Sequence, residues 1–195
     1  KTLLLDEKNQ IGGSTIYQDS NNFKIDNQNS STWLENEINE LEKLDYLEIK
    51  TRTSVAAYHG YNYLLARENL TDHLSQTEKQ NKLRQRLLKI RAKKVIVATG
   101  ALERPFIFNN NDRPGIMLSS AVKKYANYYG VATGKKNIFF TNNDTAYENA
   151  ILLSKNGIKV KAIIDIREQP NSEFTTEAES LGIQIYRSHT VVDTE

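Results

Sequence analysis

VIVATG, residues 95–100, couples a β-branched run to an Ala98-Thr99-Gly100 turn. A strand over 94–98 that runs straight into these small residues makes a tight backbone turn of the kind that lies beside a bound dinucleotide. Ala98 and Thr99 leave room for the cofactor, and Gly100 tolerates a positive φ. The hexapeptide alone has moderate specificity. Followed by ALERP (residues 101–105), it is much more specific.

Upstream, TLLL (residues 2–5) stops at Asp6-Glu7 and reads as a buried parallel strand. An acid at the end of such a strand, with Gly12-Gly13 six positions later, fits the second strand of a Rossmann unit. There the acid accepts hydrogen bonds from the adenosine ribose hydroxyls. Asp6 is placed for that role, with Glu7 and Lys8 beside the ribose and adenine. Gly12 and Gly13 let backbone approach a ligand, and Ser14 can donate to a phosphate. The alternative is a strand that closes in a polar turn. A G-x-G-x-x-G should precede the ribose acid by about 20 residues. Only five residues precede Asp6, so the fingerprint is expected in a part of the protein outside this chain.

Between these motifs, residues 20–31 are polar and read as a surface loop. Trp33, Leu34, Ile38, Leu41 and Leu44 recur at helical spacing after Ser31-Thr32. Runs at 47–53, 54–58, 63–67 and 86–91 are rich in β-formers, with a turn at His59-Gly60, and 71–81 reads as a loop. Beyond Gly100 an irregular stretch carries Pro105 and Pro114. A helix is expected over 119–129, stopped by Gly130. A βαβ pattern follows: strand 137–141, helix 145–155 ended by Asn156-Gly157, strand 158–164 ending at Asp165, helix 172–181 and strand 183–186. The expected fold class is α/β: a Rossmann-like FAD/NAD(P)-binding fold with a parallel sheet, a strand-rich insert, and a second βαβ unit. The first dinucleotide-binding domain is expected over 1–118, incomplete, with its insert at about 51–93. A second, incomplete Rossmann-like unit is expected over 119–195.

Composition narrows the chemistry. The chain has 195 residues, a formal charge of +2, three histidines and no cysteine. Disulfides, dithiol redox chemistry and thiolate metal sites are excluded from these residues. The three histidines lack ligand spacing, so no metal site is expected. The basic stretch at 82–94 alternates with leucines and reads as a solvated face, so no nucleic-acid partner is expected. No apolar run approaches membrane-spanning length. No signal peptide opens the chain, and a cytoplasmic location is expected.

Asn142-Asn143-Asp144 takes the place of a Gly-rich loop in the second unit, with Asp165 about 20 residues on. Residues 137–148 contain no glycine. Side chains there hinder a pyrophosphate, and Asp144 repels one at a helix N-terminus. Asp144 is therefore expected to be an N-cap, with Asn142 and Asn143 tolerating left-handed conformations. The unit reads as a structural repeat that binds no dinucleotide. The six tyrosines between Tyr58 and Tyr129 read as core edges or subunit contacts.

The order of ribose acid, Gly-Gly, strand-rich insert, A-T-G and R-P resembles flavoproteins with two dinucleotide-binding domains. In that frame Val55, within strand 53–58, sits where the family's backbone contacts the adenine. ATGALERPFIFNNNDRPGIMLSSAV, NIFFTNNDTAYENA, TRTSVAAYHGYNYLLARENLTDH and RQRLLKIRAKKVIVATG narrow the likeness. Together they resemble the alpha subunits of heterotetrameric sarcosine oxidases, over nearly the whole chain. Alpha subunits of other amine or amino-acid dehydrogenase complexes share parts of the pattern. The resemblance implies oxidative demethylation of sarcosine to glycine, with hydrogen peroxide formed and the one-carbon unit passed to tetrahydrofolate. It implies NAD on the alpha subunit at Asp6, Glu7, Lys8, Gly12, Gly13, Ser14, Val55, Thr99 and Gly100. FAD would belong to the beta subunit and FMN to the alpha–beta interface, with gamma and delta subunits completing the complex. Whether the first site takes NAD or FAD stays open, and no residue here is assigned a catalytic role. A non-catalytic assembly module is the competing reading. A flavin- and NAD(P)H-dependent reductase is a third, and the lack of cysteine removes its disulfide-reducing branch.

Overall fold

The computed structural model describes residues 1–18 and 23–194. Contacts divide the chain into two compact units, one of residues 1–16 and 20–100, the other of residues 17–19 and 101–195. Among the described residues no helix is long and apolar enough to cross a membrane.

In the first unit, strand β1 (Thr2–Leu5) pairs in parallel with β4 (Leu47–Lys50), Thr2 opposite Leu47. The connection carries a small antiparallel hairpin, β2 (Lys24–Ile25) and β3 (Gln28–Asn29), and helix α1 (Ser30–Glu42). The hairpin corrects the expected loop. Asp26 and Asn27 both adopt positive φ, 49° and 62°, as a two-residue hairpin turn requires. The other part of that expected loop, residues 20–22, lies outside the described residues. Parallel neighbours need a crossover connection, and α1 provides it.

The insert is a three-stranded antiparallel sheet: β5 (Thr53–His59), β6 (Tyr63–Asn69) and β7 (Gln85–Arg91), in that order. The central strand buries Leu64 and Ala66. The β5–β6 ladder shifts register between Val55 and Ala57, a bulge. Residues 76–79, expected as loop, form one helical turn, α2 (Gln76–Lys79). It is held by a Ser75–Glu78 capping box.

The expected strand at 94–98 does not form. Residues 92–107 join no sheet, and Ile96 and Val97 are 92% and 69% exposed. An extended run becomes a strand only when a neighbour takes its N–H and C=O groups. No described residue does so for residues 94–98. Gly100 does take the expected positive φ, 71°.

In the second unit, β8 (Asn137–Thr141), β9 (Val160–Asp165) and β10 (Gln184–Arg187) form a parallel sheet in the order β10-β9-β8. Helices α3 (Ser119–Tyr129), α4 (Thr145–Lys155) and α5 (Ser172–Ser180) accompany it. Tyr147, Ala150, Leu153, Ile163 and Ile183 form the core and are almost wholly buried. The α3 N-terminus receives the Glu103 carboxylate, which accepts from the N–H groups of Ser119 and Ser120 at 3.1 and 2.8 Å. Gly130 ends α3 at φ 64°. The irregular stretch after Gly100 packs Phe106 on Phe140, with ring centroids 4.5 Å apart.

Gly12 and Gly13 separate two demands on one turn. A Cβ on Gly12 (φ +123°) would lie 2.7 Å from Leu34 Cδ2, whereas one on Gly13 (φ +58°) would meet nothing within 4 Å. Gly12→Ala is expected to destabilise the first unit by about 2 kcal/mol, through strain and overpacking against α1. Gly13→Ala should cost about 1 kcal/mol, from the left-handed backbone alone. Denaturant unfolding of the two variants tests the ranking, and equal losses would show that Leu34 yields freely.

Candidate functional site

The same local device stands at the carboxyl end of a parallel strand in each unit. Asp6 follows β1, and its Oδ1 accepts the Lys8 N–H at 2.8 Å. Asp165 closes β9, and its Oδ1 accepts the Arg167 N–H at 2.9 Å. A carboxylate that accepts the N–H two residues on folds the chain sharply away from the strand. Ligands in open α/β sheets bind outside these carboxyl ends.

In the first unit the acid remains accessible. Asp6 is half-buried, its N–H donates to Lys50 O at 3.0 Å, and its carbonyl accepts from Thr53 N at 2.8 Å. Lys8 O accepts from Arg52 N at 2.6 Å. These bonds bring Asp6 and Lys8 against the start of β5, two positions before Val55. Val55 itself is 46% exposed beside the bulge. Gly12 and Gly13 follow in a turn closed by Thr15 N to Gly12 O at 3.1 Å, while Glu7 and Ser14 are exposed. Thus Asp6, Lys8 and the β5 start are bonded into one corner, with the Gly12-Gly13 turn close behind Lys8 in sequence. Thr99 and Gly100 are exposed, and no hydrogen bond among the described residues ties them to it. Thr53 and Arg52 were not legible as parts of this corner. Thr53 is buried and donates its hydroxyl to Thr51 O at 2.9 Å. Arg52 sits at φ 53° and pairs with Asp72 at 3.0 Å.

In the second unit the equivalent space is closed by charge. Asp165 is fully buried, and Arg167 grips it through Nη2 at 2.8 Å and Nε at 3.1 Å. Arg167 Nη1 reaches back to Asp144 Oδ1 at 2.8 Å, an ion pair outside hydrogen-bond geometry. Burial pushes the Asp165 carboxyl up, but the Arg167 side chain and N–H outweigh it and hold it below its ordinary value. Tyr147 is wholly buried, and its hydroxyl is pushed well up, first by burial and then by the neighbouring Asp165 carboxylate.

The structure keeps Asp144 at the expected N-cap position and leaves the left-handed tolerance of Asn142 and Asn143 unused. Asp144 stands at the N-cap position of α4, but its side chain caps nothing. Asn143 does that work, its Oδ1 accepting the Thr145 N–H at 3.1 Å. Arg167 draws the Asp144 carboxylate away. Asn142 and Asn143 are not left-handed, because Thr141 Oγ1 organises the turn by accepting from Asn143 N at 3.0 Å and donating to Asn143 O at 2.9 Å.

Comparisons with known proteins agree with this architecture. No protein-family model matches the chain. It is 39% identical over 195 residues to "Sarcosine oxidase subunit alpha" of Corynebacterium sp. (strain P-1), covering all of this chain and 20% of that protein. It is 33% identical over 178 residues to the protein of the same name in Rhizobium meliloti (strain 1021), covering 91% of the chain and 18% of that protein. The chain therefore spans about one fifth of the length of the curated relatives it matches. Among solved structures it is similar to L-proline dehydrogenase from P. horikoshii. The TM-score is 0.58 at 22% identity, covering 99% of this chain and 31% of that one. It is also similar to T. acidophilum thioredoxin reductase, with a TM-score of 0.62 at 14% identity, covering 98% and 57%. The fold is the Rossmann-like fold of FAD/NAD(P)-binding oxidoreductases.

Arg167→Met leaves Asp165 buried without its counter-charge. At pH 7 the second unit should lose on the order of 3 kcal/mol, the low end for a broken buried pair because the Arg167 side chain is 28% exposed. In the parent, the lowered Asp165 pKa contributes stability that is complete above the ordinary value of 3.8 and is lost as pH falls through the folded value. In Arg167→Met the unpaired carboxyl is raised by burial, and acid relieves it. The gap between parent and variant should narrow from pH 7 to pH 4 in urea melts, and a constant gap would place the loss elsewhere.

Proposed function

We propose that this chain, homologous over its full length to sarcosine oxidase alpha subunits, is the NAD-holding piece of such a subunit. The observation that carries the reading is the corner around Asp6. A half-buried carboxylate stands at the end of a parallel strand, and close behind it in sequence comes a turn whose Gly13 opens onto empty space. The free acceptor suits an adenosine ribose hydroxyl. Asp6 Oδ1 is held by Lys8 N–H, while Oδ2 accepts no hydrogen bond from a described residue and is available to a hydroxyl. Glu7 and Lys8 would lie beside the ribose and adenine, Ser14 would donate to a phosphate, and the Val55 backbone would meet the adenine edge. Thr99 and Gly100 would form the far wall. NAD, where bound, offers a nicotinamide that accepts hydride; FAD in the same corner is the alternative cofactor. These residues bind and orient a nucleotide, and none is offered as an acid, base or nucleophile.

In the whole protein, the activity would be oxidative demethylation of sarcosine. FAD and FMN would be held mainly on or shared with a beta subunit, tetrahydrofolate elsewhere on the alpha subunit, and gamma and delta subunits would complete the assembly. A subunit of another flavin-dependent amine or amino-acid dehydrogenase is the neighbouring reading. A scaffold role has one specific observation in its favour, confined to the second unit. The Asp144–Arg167–Asp165 bridge spans the carboxyl ends of β8 and β9, and a pyrophosphate there would have to displace it.

Asp6→Asn keeps the side chain's shape and removes its charge. Charge-assisted hydrogen bonds contribute about 1.5–3 kcal/mol each, so nucleotide affinity should fall at least tenfold with the unfolding midpoint little changed. Nucleotide released by denaturing the purified full-length protein and its variant, identified by mass, reads this directly. Undiminished nucleotide in Asp6→Asn would refute the ribose role, and FAD in place of NAD would reassign the corner.

A further inference from the structure

The second unit carries an aromatic and basic face at the end of its sheet opposite Asp165. Tyr17 meets Tyr128 edge-on at 5.4 Å, Tyr128 meets Tyr129 at 4.9 Å, and Tyr125 lies 5.6 Å from Tyr129. Lys124 Nζ sits 4.8 Å from the centre of the Tyr17 ring and 5.8 Å from that of Tyr129. Tyr125, Tyr129 and Val131 are nonetheless 43%, 54% and 48% exposed. An aromatic surface left this open marks a contact area.

Two shallow hollows adjoin it, of about 300 and 380 Å³, sharing Ala132 and Ile158 in their linings. Gly130 and Val131 bound one, Lys135 and Lys159 the other. They lie where α3 ends and where β8 and β9 begin, the wrong end of a parallel sheet for a nucleotide. The charge is one-sided. Residues 113–143 contain no aspartate or glutamate but include Lys124, Lys135 and Lys136.

We propose that this face docks an acidic surface of another subunit, an aliphatic side chain seated in the hollows and carboxylates reaching Lys135, Lys136 and Lys159. This rests on the reading of the chain as part of a multi-subunit enzyme. A second copy of the same chain is disfavoured, because two-fold pairing would set lysines against lysines. Nucleic acid is disfavoured because the formal charge of the chain is only +2. Aromatic anchors surrounded by complementary charge are where interface energy concentrates.

The test uses full-length protein purified with its co-expressed subunits. Zero-length carbodiimide cross-linking and peptide mass spectrometry should join Lys135, Lys136 or Lys159 to aspartates or glutamates of a different polypeptide. Links only within the same polypeptide, links only between identical copies, or nucleic acid co-purifying on this face would each overturn the proposal. The charge-reversed variant Lys135→Glu/Lys136→Glu should lower subunit affinity roughly tenfold or more, while Lys135→Arg/Lys136→Arg retains it. Full subunit stoichiometry in the reversed variant at dilution would also overturn it. Should that variant fail to fold, the cross-links decide. Nucleotide content measured on the same samples separates the two ideas: lost subunits with nucleotide retained supports docking, whereas a parent complex without nucleotide removes the Asp6 reading alone.

Discussion

A carboxylate at the end of a parallel strand, accepting the N–H two residues further on, sets the course of the chain in both units. Asp6 does this for Lys8 and Asp165 for Arg167. The bond turns the backbone off the sheet and leaves the carboxylate at the sheet's ligand-facing end. What the following residues offer then decides the outcome. After Asp6 come Glu7, Lys8 and a glycine turn, so the acid stays half-open. After Asp165 comes Arg167, which is long enough to cover the acid and planar enough to grip it through two nitrogens.

The surrounding packing follows from that difference. In the first unit, backbone bonds from Arg52 and Thr53 to Lys8 and Asp6 fasten the insert to the corner. The start of β5 is thereby held against the Asp6 corner. In the second unit α4 is buried on nearly every side, from Ala146 to Leu153. Tyr147 fills the space beneath Asp165. A helix packed this way cannot retreat to admit a ligand without disturbing the core it shares with Ile163 and Ile183.

The second unit was almost entirely legible in the sequence, and for a physical reason. Helix 145–155 has both ends marked and an apolar face, and the strands around it are short runs bounded by Asn-Gly or Asp. Such elements are determined locally. The run at 95–98 looked just as clear and is not a strand, because pairing belongs to two segments and its composition describes only one. The Ser75–Glu78 box stood in the sequence as S-x-x-E but was hidden in a polar stretch read as loop. The Asp144–Arg167 pair was illegible for another reason. Its partners are far apart in the chain, and only the parallel arrangement of β8 and β9 brings them together.

The bridge also bears on how such a unit can change over evolutionary time. Arg167 answers two acids at once, so the three residues are not independent sites. Replacing Asp144 alone leaves the guanidinium with a half-filled shell. Replacing Arg167 alone strands a buried carboxylate, and replacing Asp165 alone leaves the turn after β9 without its acceptor. Substitutions at these three positions are therefore coupled, and the cost of each depends on which of the other two is present. The order in which these residues are exchanged thus matters as much as which of them are exchanged.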